Sequence, residues 1–299
     1  MRSQTQQGKQ ECMAEQENSD AALQKSATGQ PLACTAWLDA HFEQSRSIYE
    51  AIVAATPLEP GWHILDAGCG PGSFIAALAG RVGPTGALSA LDLDAANLAV
   101  AEQRVTASPV GCPVSFTMGS VTNLPFPDNT FDSVWCANVS QYLTDDEFHT
   151  ALAEFRRVVR PGGIVAIKEA DGASLHYDPI DIGLFRRLNL QGLALGNVQA
   201  HGVIRAAIMR RWLERAGLVD VWQRLFLEEL WAPLTDLERE GAGTFLRYLA
   251  AAAERTAIPE EDRAFWRAQR DPADPAALVN HPEFYERGGY VLAVGVSPE

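Results

Sequence analysis

The chain has 299 residues, 47% of them hydrophobic, with a net charge of −14 and a pI near 4.9. That is enough apolar material for one sizeable α/β core with additions. The acidic balance, with no run of Lys or Arg against it, repels phosphate backbones. It disfavours DNA, RNA and anionic membranes as partners.

Met1 to Gln30 is rich in Gln, Glu, Ser and Lys, has no apolar signal core, and reads as a weakly ordered tail. No apolar run approaches the roughly 18 residues that span a bilayer. Five cysteines at irregular spacing form no disulfide framework, so a reducing, cytoplasmic setting is expected. Thr35 to Ala55 predicts one or two helices, with an apolar stripe of Trp37, Phe42, Ile48, Ile52 and Val53. Residues 31–58 are taken together as this N-terminal helical segment.

His63-Ile64-Leu65-Asp66 is an apolar run ending in acid, followed by Ala67-Gly68-Cys69-Gly70-Pro71-Gly72 and an apolar helical pattern from Ser73. This predicts a strand, a tight turn and a helix start. Glycines let a ligand lie against the backbone. A carboxylate two residues before the first glycine repels a pyrophosphate and attracts an ammonium or sulfonium. The spacing is G-x-G-x-G, so the third glycine falls one residue early for a dinucleotide fingerprint. A tight turn with no ligand is the bland alternative.

A second apolar run, Ala87 to Asp92, also ends in acid. An ionised carboxylate only accepts hydrogen bonds and suits ribose hydroxyls. Asp94 is expected to cap the helix from Ala95. Strands follow near Val114 to Met118 and Ser133 to Ala137, joined through Gly119-Ser120-Val121 and Asp128-Asn129. Asp145-Asp146-Glu147 is expected to be an exposed helix start. Phe155 to Val159 predicts a helix end, Pro161-Gly162-Gly163 a stop, and Ile164 to Ile167 a fifth strand.

These segments, over about residues 45 to 170, resemble the class I S-adenosylmethionine-dependent methyltransferases. They are similar to the small-molecule group that includes the ubiquinone and menaquinone biosynthesis enzymes. The resemblance implies a Rossmann-like α/β fold: a seven-stranded, mostly parallel sheet with an antiparallel last strand and helices on both faces. It implies that Asp66, Gly68, Gly70 and Gly72 surround the methionine moiety of S-adenosylmethionine, with S-adenosylhomocysteine as product. Asp92 would hold the ribose, Leu93 would pack on the adenine, and Ser120 and Val121 would border its edge. Many relatives carry Asp where this chain has Ser120. Ala137 and Asn138 would face the methyl donor.

Farther along, Val203 to Ala216 predicts an amphipathic helix, Leu218 to Leu230 a long strand, and Gly289 to Val296 the last strand. Residues 59–232 and 288–299 then make the core. Residues 233–287, two or three helices rich in Ala, Glu, Arg and aromatics, make an insertion between the last two strands. It is expected to cap the substrate cavity.

Methyl transfer to a small, apolar or aromatic molecule is the expected activity. An oxygen or carbon nucleophile usually needs a base. The candidates are His176, Asp178 and His201, with Tyr177 beside them, all after the fifth strand. No metal-ligand cluster is present in the histidine and cysteine spacing, so no metal is expected. The alternatives are a non-catalytic S-adenosylmethionine-binding protein and an NAD-dependent oxidoreductase. The oligomeric state stays open, a homodimer among the options.

Overall fold

The computed structural model describes residues 35–299. The expected tail, Cys12 and Cys34 lie outside them, as does the side chain of Trp37. Two short helices come first, α1 (Thr35–Gln44) and α2 (Arg46–Ala55). The alternating core follows: β1 (His63–Ala67), α3 (Ile75–Val82), β2 (Ala87–Asp92), α4 (Ala95–Ala107), β3 (Val114–Met118), β4 (Phe131–Ala137), α5 (Asp145–Val158) and β5 (Val159–Ala170). Next come β6 (His176–Asp178), α6 (Ile182–Ala194), α7 (Val198–Arg205), α8 (Met209–Arg215) and β7 (Val219–Trp231). The chain closes with α9 (Asp236–Glu254), α10 (Glu260–Ala268) and β8 (Tyr285–Val296).

β1 to β5 are parallel in the order β3-β2-β1-β4-β5, and β8 runs antiparallel between β5 and β7. The sheet has eight strands rather than seven. The extra one, β6, pairs with Tyr285–Arg287 of β8, beyond the stretch that β5 occupies. Strand β5 starts at Val159, directly after α5, so the Pro-Gly-Gly step lies inside the strand. A register shift between Phe131 and Ser133 on β4 absorbs it.

Side chains alternate across the sheet, as the two-residue period of a strand requires. Ile64, Trp135, Ala166 and Leu292 pack on α2 and α3, whereas Leu65, Val134, Val165, Ile167 and Val291 pack on α5 and α8. A third cluster is made by Tyr177, Phe185, Leu188, Leu230, Leu246, Trp266 and Phe284. It joins α6, α9 and α10 to one end of the sheet. Arg187 of α6 reaches across this layer to the buried Asp262 of α10, with Nη2 2.8 Å from Oδ1.

The expected helix over Val203 to Ala216 is broken into α7, a 3-10 turn at Ala206–Ile208 and α8. The buried Arg205 at the break turns sideways. It donates to the carbonyls of Ser140 and Leu143 and pairs with Asp145. The acidic run does begin a helix: Thr144 and Glu147 form a reciprocal capping box at the start of α5.

Candidate active site

In an open parallel sheet, ligands sit outside the carboxyl ends of the strands. Asp66, Asp92, Ala137 and Asn138 all lie at such ends. The glycine turn is tied to β2 by Gly68 and Cys69, whose N–H groups donate to the Leu91 carbonyl at 2.7 and 2.9 Å. Gly68 has φ +82°, and a Cβ there would lie 2.3 Å from Val139 Cγ2. Only glycine lets the loop after β4 close onto this turn.

Asp92 organises the turn as well as facing the site. Its Oδ2 accepts from Gly70 N–H at 2.7 Å and its Oδ1 from Asp94 N–H at 2.8 Å. The Asn97 side chain also bonds to this carboxylate, which still has acceptor capacity for a ligand hydroxyl. Burial raises its pKa, and these hydrogen bonds oppose the rise. Asp94 instead accepts from Ala96 N–H at 2.7 Å and caps α4.

Asp66 is buried, and its Oδ2 has no hydrogen-bond partner. Its pKa is pushed up to about 8, by burial first and by the nearby Asp92 second. Two acids thus repel each other across a turn of glycine backbone, and one carries an orphaned oxygen. A cation placed here would relieve both penalties.

Leu93 is 42% exposed and follows Asp92 directly, an apolar surface at the mouth. Ser120 bonds to the Thr122 hydroxyl at 2.8 Å, and Val121 is buried beside it. Asn138 adopts φ +59°, an uncommon backbone for a non-glycine residue. It is held twice by β5: its N–H donates to the Lys168 carbonyl at 2.9 Å, and its Oδ1 accepts from Lys168 Nζ at 2.5 Å.

The proposed bases stand on separate elements after β5. His176 on β6 stands half-buried with its ring 6.0 Å from that of Tyr285. Asp178 is exposed. His201 is exposed on α7 and contacts the Leu193 carbonyl through Nε2 at 3.2 Å. None of their hydrogen bonds reaches Asn138. Tyr177 is buried beside Glu286, whose pKa burial and the neighbouring Glu228 push up to about 8.

What lies next to Asn138 was not legible as a motif. Lys168 is buried between the rings of Tyr49 from α2 and Tyr290 from β8. Tyr290 shares a 2.8 Å hydrogen bond with Ser45, which also contacts Glu228. On the opposite face of β5, Glu169 accepts from the Ser140 hydroxyl and from Gln141 N–H, which fixes the loop after β4.

The comparisons with known proteins bear on this geometry. Residues 64–163 match a family described as a methyltransferase domain. A demethylmenaquinone methyltransferase of Symbiobacterium thermophilum is 35% identical over 154 residues, 52% of this chain and 55% of the relative. Across that protein and relatives from Streptomyces fradiae and Geobacillus kaustophilus, the chain spans only 48–62% of the relatives' length. A ubiquinone/menaquinone biosynthesis C-methyltransferase of Cupriavidus pinatubonensis is 37% identical over 182 residues, 60% of this chain and 72% of the relative. The chain belongs to the class I S-adenosylmethionine-dependent methyltransferases. Among solved structures, a candidate methyltransferase from Bacillus halodurans matches with TM-score 0.53 at 17% identity, covering 85% of this chain and 100% of that one. That likeness concerns the fold alone.

S-adenosylmethionine, the cofactor of this family, fits the residues present. It carries an ammonium and a sulfonium, and the turn offers an unpaired buried carboxyl oxygen beside a second acid. Among the described residues, no helix is long and apolar enough to cross a membrane.

Proposed function

We propose that this chain transfers a methyl group from S-adenosylmethionine to a small apolar or aromatic molecule. The observation that carries the cofactor half is the orphaned Asp66 Oδ2 at the end of β1, beside the turn that Asp92 closes through Gly70 N–H. In this assignment Asp66 meets the amino group, directly or through water, and Gly68, Gly70 and Gly72 admit the methionine chain. Asp92 grips the ribose, Leu93, Ser120 and Val121 border the adenine, and Ala137 and Asn138 flank the donated methyl group.

Bound S-adenosylmethionine supplies the methyl group and leaves as S-adenosylhomocysteine. The protein's own contribution is positional, because displacement at the methyl carbon needs the acceptor in line. Asn138 is locked at its uncommon φ by Lys168, so its side chain is pre-set rather than recruited.

The apolar or aromatic acceptor is supported by two things. Relatives are named for demethylmenaquinone and for ubiquinone and menaquinone biosynthesis. The layer beyond the strand ends, where α6, α9 and α10 meet, is aromatic and aliphatic. Residues 233–287 are assigned as a cap that sets the choice of acceptor.

Calorimetry with S-adenosylhomocysteine and with NAD tests the cofactor half. Micromolar binding of the first, about −8 kcal/mol, and none of the second is expected. Turnover of S-adenosylmethionine against a panel of small aromatic acceptors tests the other half. Binding without turnover of any acceptor would favour a non-catalytic binding protein.

A further inference from the structure

The sequence contains three lysines, Lys9, Lys25 and Lys168. From residue 26 onward, every other fixed cation is arginine. The single lysine among the described residues is completely buried, at the carboxyl end of β5 beside Asn138. Its Nζ lies 3.8 Å from the centre of the Tyr49 ring and 4.0 Å from that of Tyr290. The choice of lysine matters because an arginine in a protein does not give up its proton, whereas a buried lysine does.

The surroundings suit both protonation forms. Burying an ammonium is costly on its own, and burial pulls the Lys168 pKa well down, with Glu169 and Glu228 opposing. The two ring faces stabilise the ammonium once it forms. His41 of α1, bonded through Nδ1 to the Tyr49 hydroxyl, is held neutral, its pKa pushed down to about 3 by burial and by Lys168. The phenols of Tyr49 and Tyr290 are raised by burial and stay protonated. Of the groups in this box, His41 stays neutral and the two phenols stay protonated, which leaves the Lys168 amine as the base beside Asn138.

We propose that Lys168 is the proton acceptor for methyl transfer, and that the methyl acceptor carries an acidic hydroxyl, a phenol or an enol. This rests on the methyl-transfer reading above. An amine acceptor attacks through its own lone pair and needs no base. A phenol, near pKa 10 in a tyrosine, is matched to an amine base, and an aliphatic alcohol is not. As the acceptor oxygen bonds to the methyl carbon, the carbon–sulfur bond breaks and its electron pair stays on sulfur. The hydroxyl proton passes to Lys168 Nζ, and later to water.

One helix covers both halves of the site. His41 of α1 stands over the tyrosine box, its ring 5.9 Å from Tyr49 and 6.4 Å from Tyr290. Leu38 of α1 reaches to 3.7 Å from where a Cβ on Gly70 would stand.

The test uses the full chain with lysine labelled by 13C at Cε, which gives three resonances. Lys9→Arg and Lys25→Arg assign the two tail signals, so Lys168 is identified without altering the site. Its resonance should titrate below the ordinary lysine value of about 10.4. In parallel, phenols, enols and amines are offered with S-adenosylmethionine, and S-adenosylhomocysteine release is followed. A phenol or enol should be methylated, with kcat rising with pH through the midpoint seen by NMR. Lys168→Met and Lys168→Arg should each lose at least a hundredfold in kcat while binding S-adenosylhomocysteine within about threefold of the parent. Lys168→Arg keeps the charge but cannot release its proton, so wild-type turnover by it would overturn the proposal. So would a Lys168 signal in the ordinary range, or methylation of amines alone. Binding of S-adenosylhomocysteine with no turnover of any acceptor counts against the methyl-transfer reading instead, and the titration then decides on Lys168 by itself.

Discussion

Asp66→Asn should make the chain more stable and its cofactor binding weaker. The parent Asp66 is buried with an orphaned oxygen and a pKa pushed up from 3.8 to about 8. Its native pKa exceeds its unfolded value, so the folded chain holds the extra proton between those limits. Stability is present at low pH and is lost as pH rises from about 4 to about 8. At about 1.4 kcal/mol per pKa unit, raising the pH from about 5.5 to about 7.5 removes about 3 kcal/mol through this one group. Asparagine has nearly the same shape and no such titration. Glu228 and Glu286 shift in the same direction and act on both proteins, so they cancel in the comparison. Urea unfolding at both pH values should show the variant gaining on the parent by about 3 kcal/mol between them. The variant also loses a charged partner for the ammonium, worth about 1.5–3 kcal/mol, so S-adenosylhomocysteine should bind roughly ten- to a hundredfold more weakly. A variant that follows the parent's pH dependence, or binds the ligand equally well, would refute both the burial penalty and the assignment of Asp66.

The same proton should appear on binding. At about pH 6.5, S-adenosylhomocysteine should release close to one proton from the parent and none from Asp66→Asn, read by calorimetry in buffers of different ionisation enthalpy. Asp94→Ala should cost about 1 kcal/mol through its lost cap and leave affinity within about twofold. Asp92→Ala should lose both affinity and stability, because Gly70 and Asp94 lose a buried acceptor as well; a purely functional loss in a melt-and-titrate pair would contradict this. Gly68→Ala should abolish binding or folding, since its Cβ would meet Val139 at 2.3 Å; a normal melting curve and affinity would be the contrary result. Hydrogen exchange over residues 233–287 should slow when S-adenosylhomocysteine and an aromatic acceptor are both present. Unchanged exchange there, with protection of the glycine turn, would reduce the segment to padding.

Local signals in the sequence sufficed for the alternating core. Apolar runs ending in acid at Asp66 and Asp92, glycines at the turn, and caps at Asp94 and Thr144 are short-range chemistry, and the folded elements follow them within a few residues. The strand-end positions proposed for the cofactor could be read for the same reason: they follow directly on short apolar runs. Elements governed by distant partners were not legible. Strand β6 exists only because β8 offers an edge beyond β5. The break after α7 serves Arg205, which satisfies carbonyls more than 60 residues earlier. The box around Lys168 combines α2, β5 and β8, three segments whose residues are neighbours only after the sheet has formed. Sequence alone could show that lysine is used once after residue 25. That this lysine stands buried at Asn138 between two tyrosine rings was decided by the tertiary structure: pairing and burial, not local propensity, set which groups meet and how strongly each holds its proton.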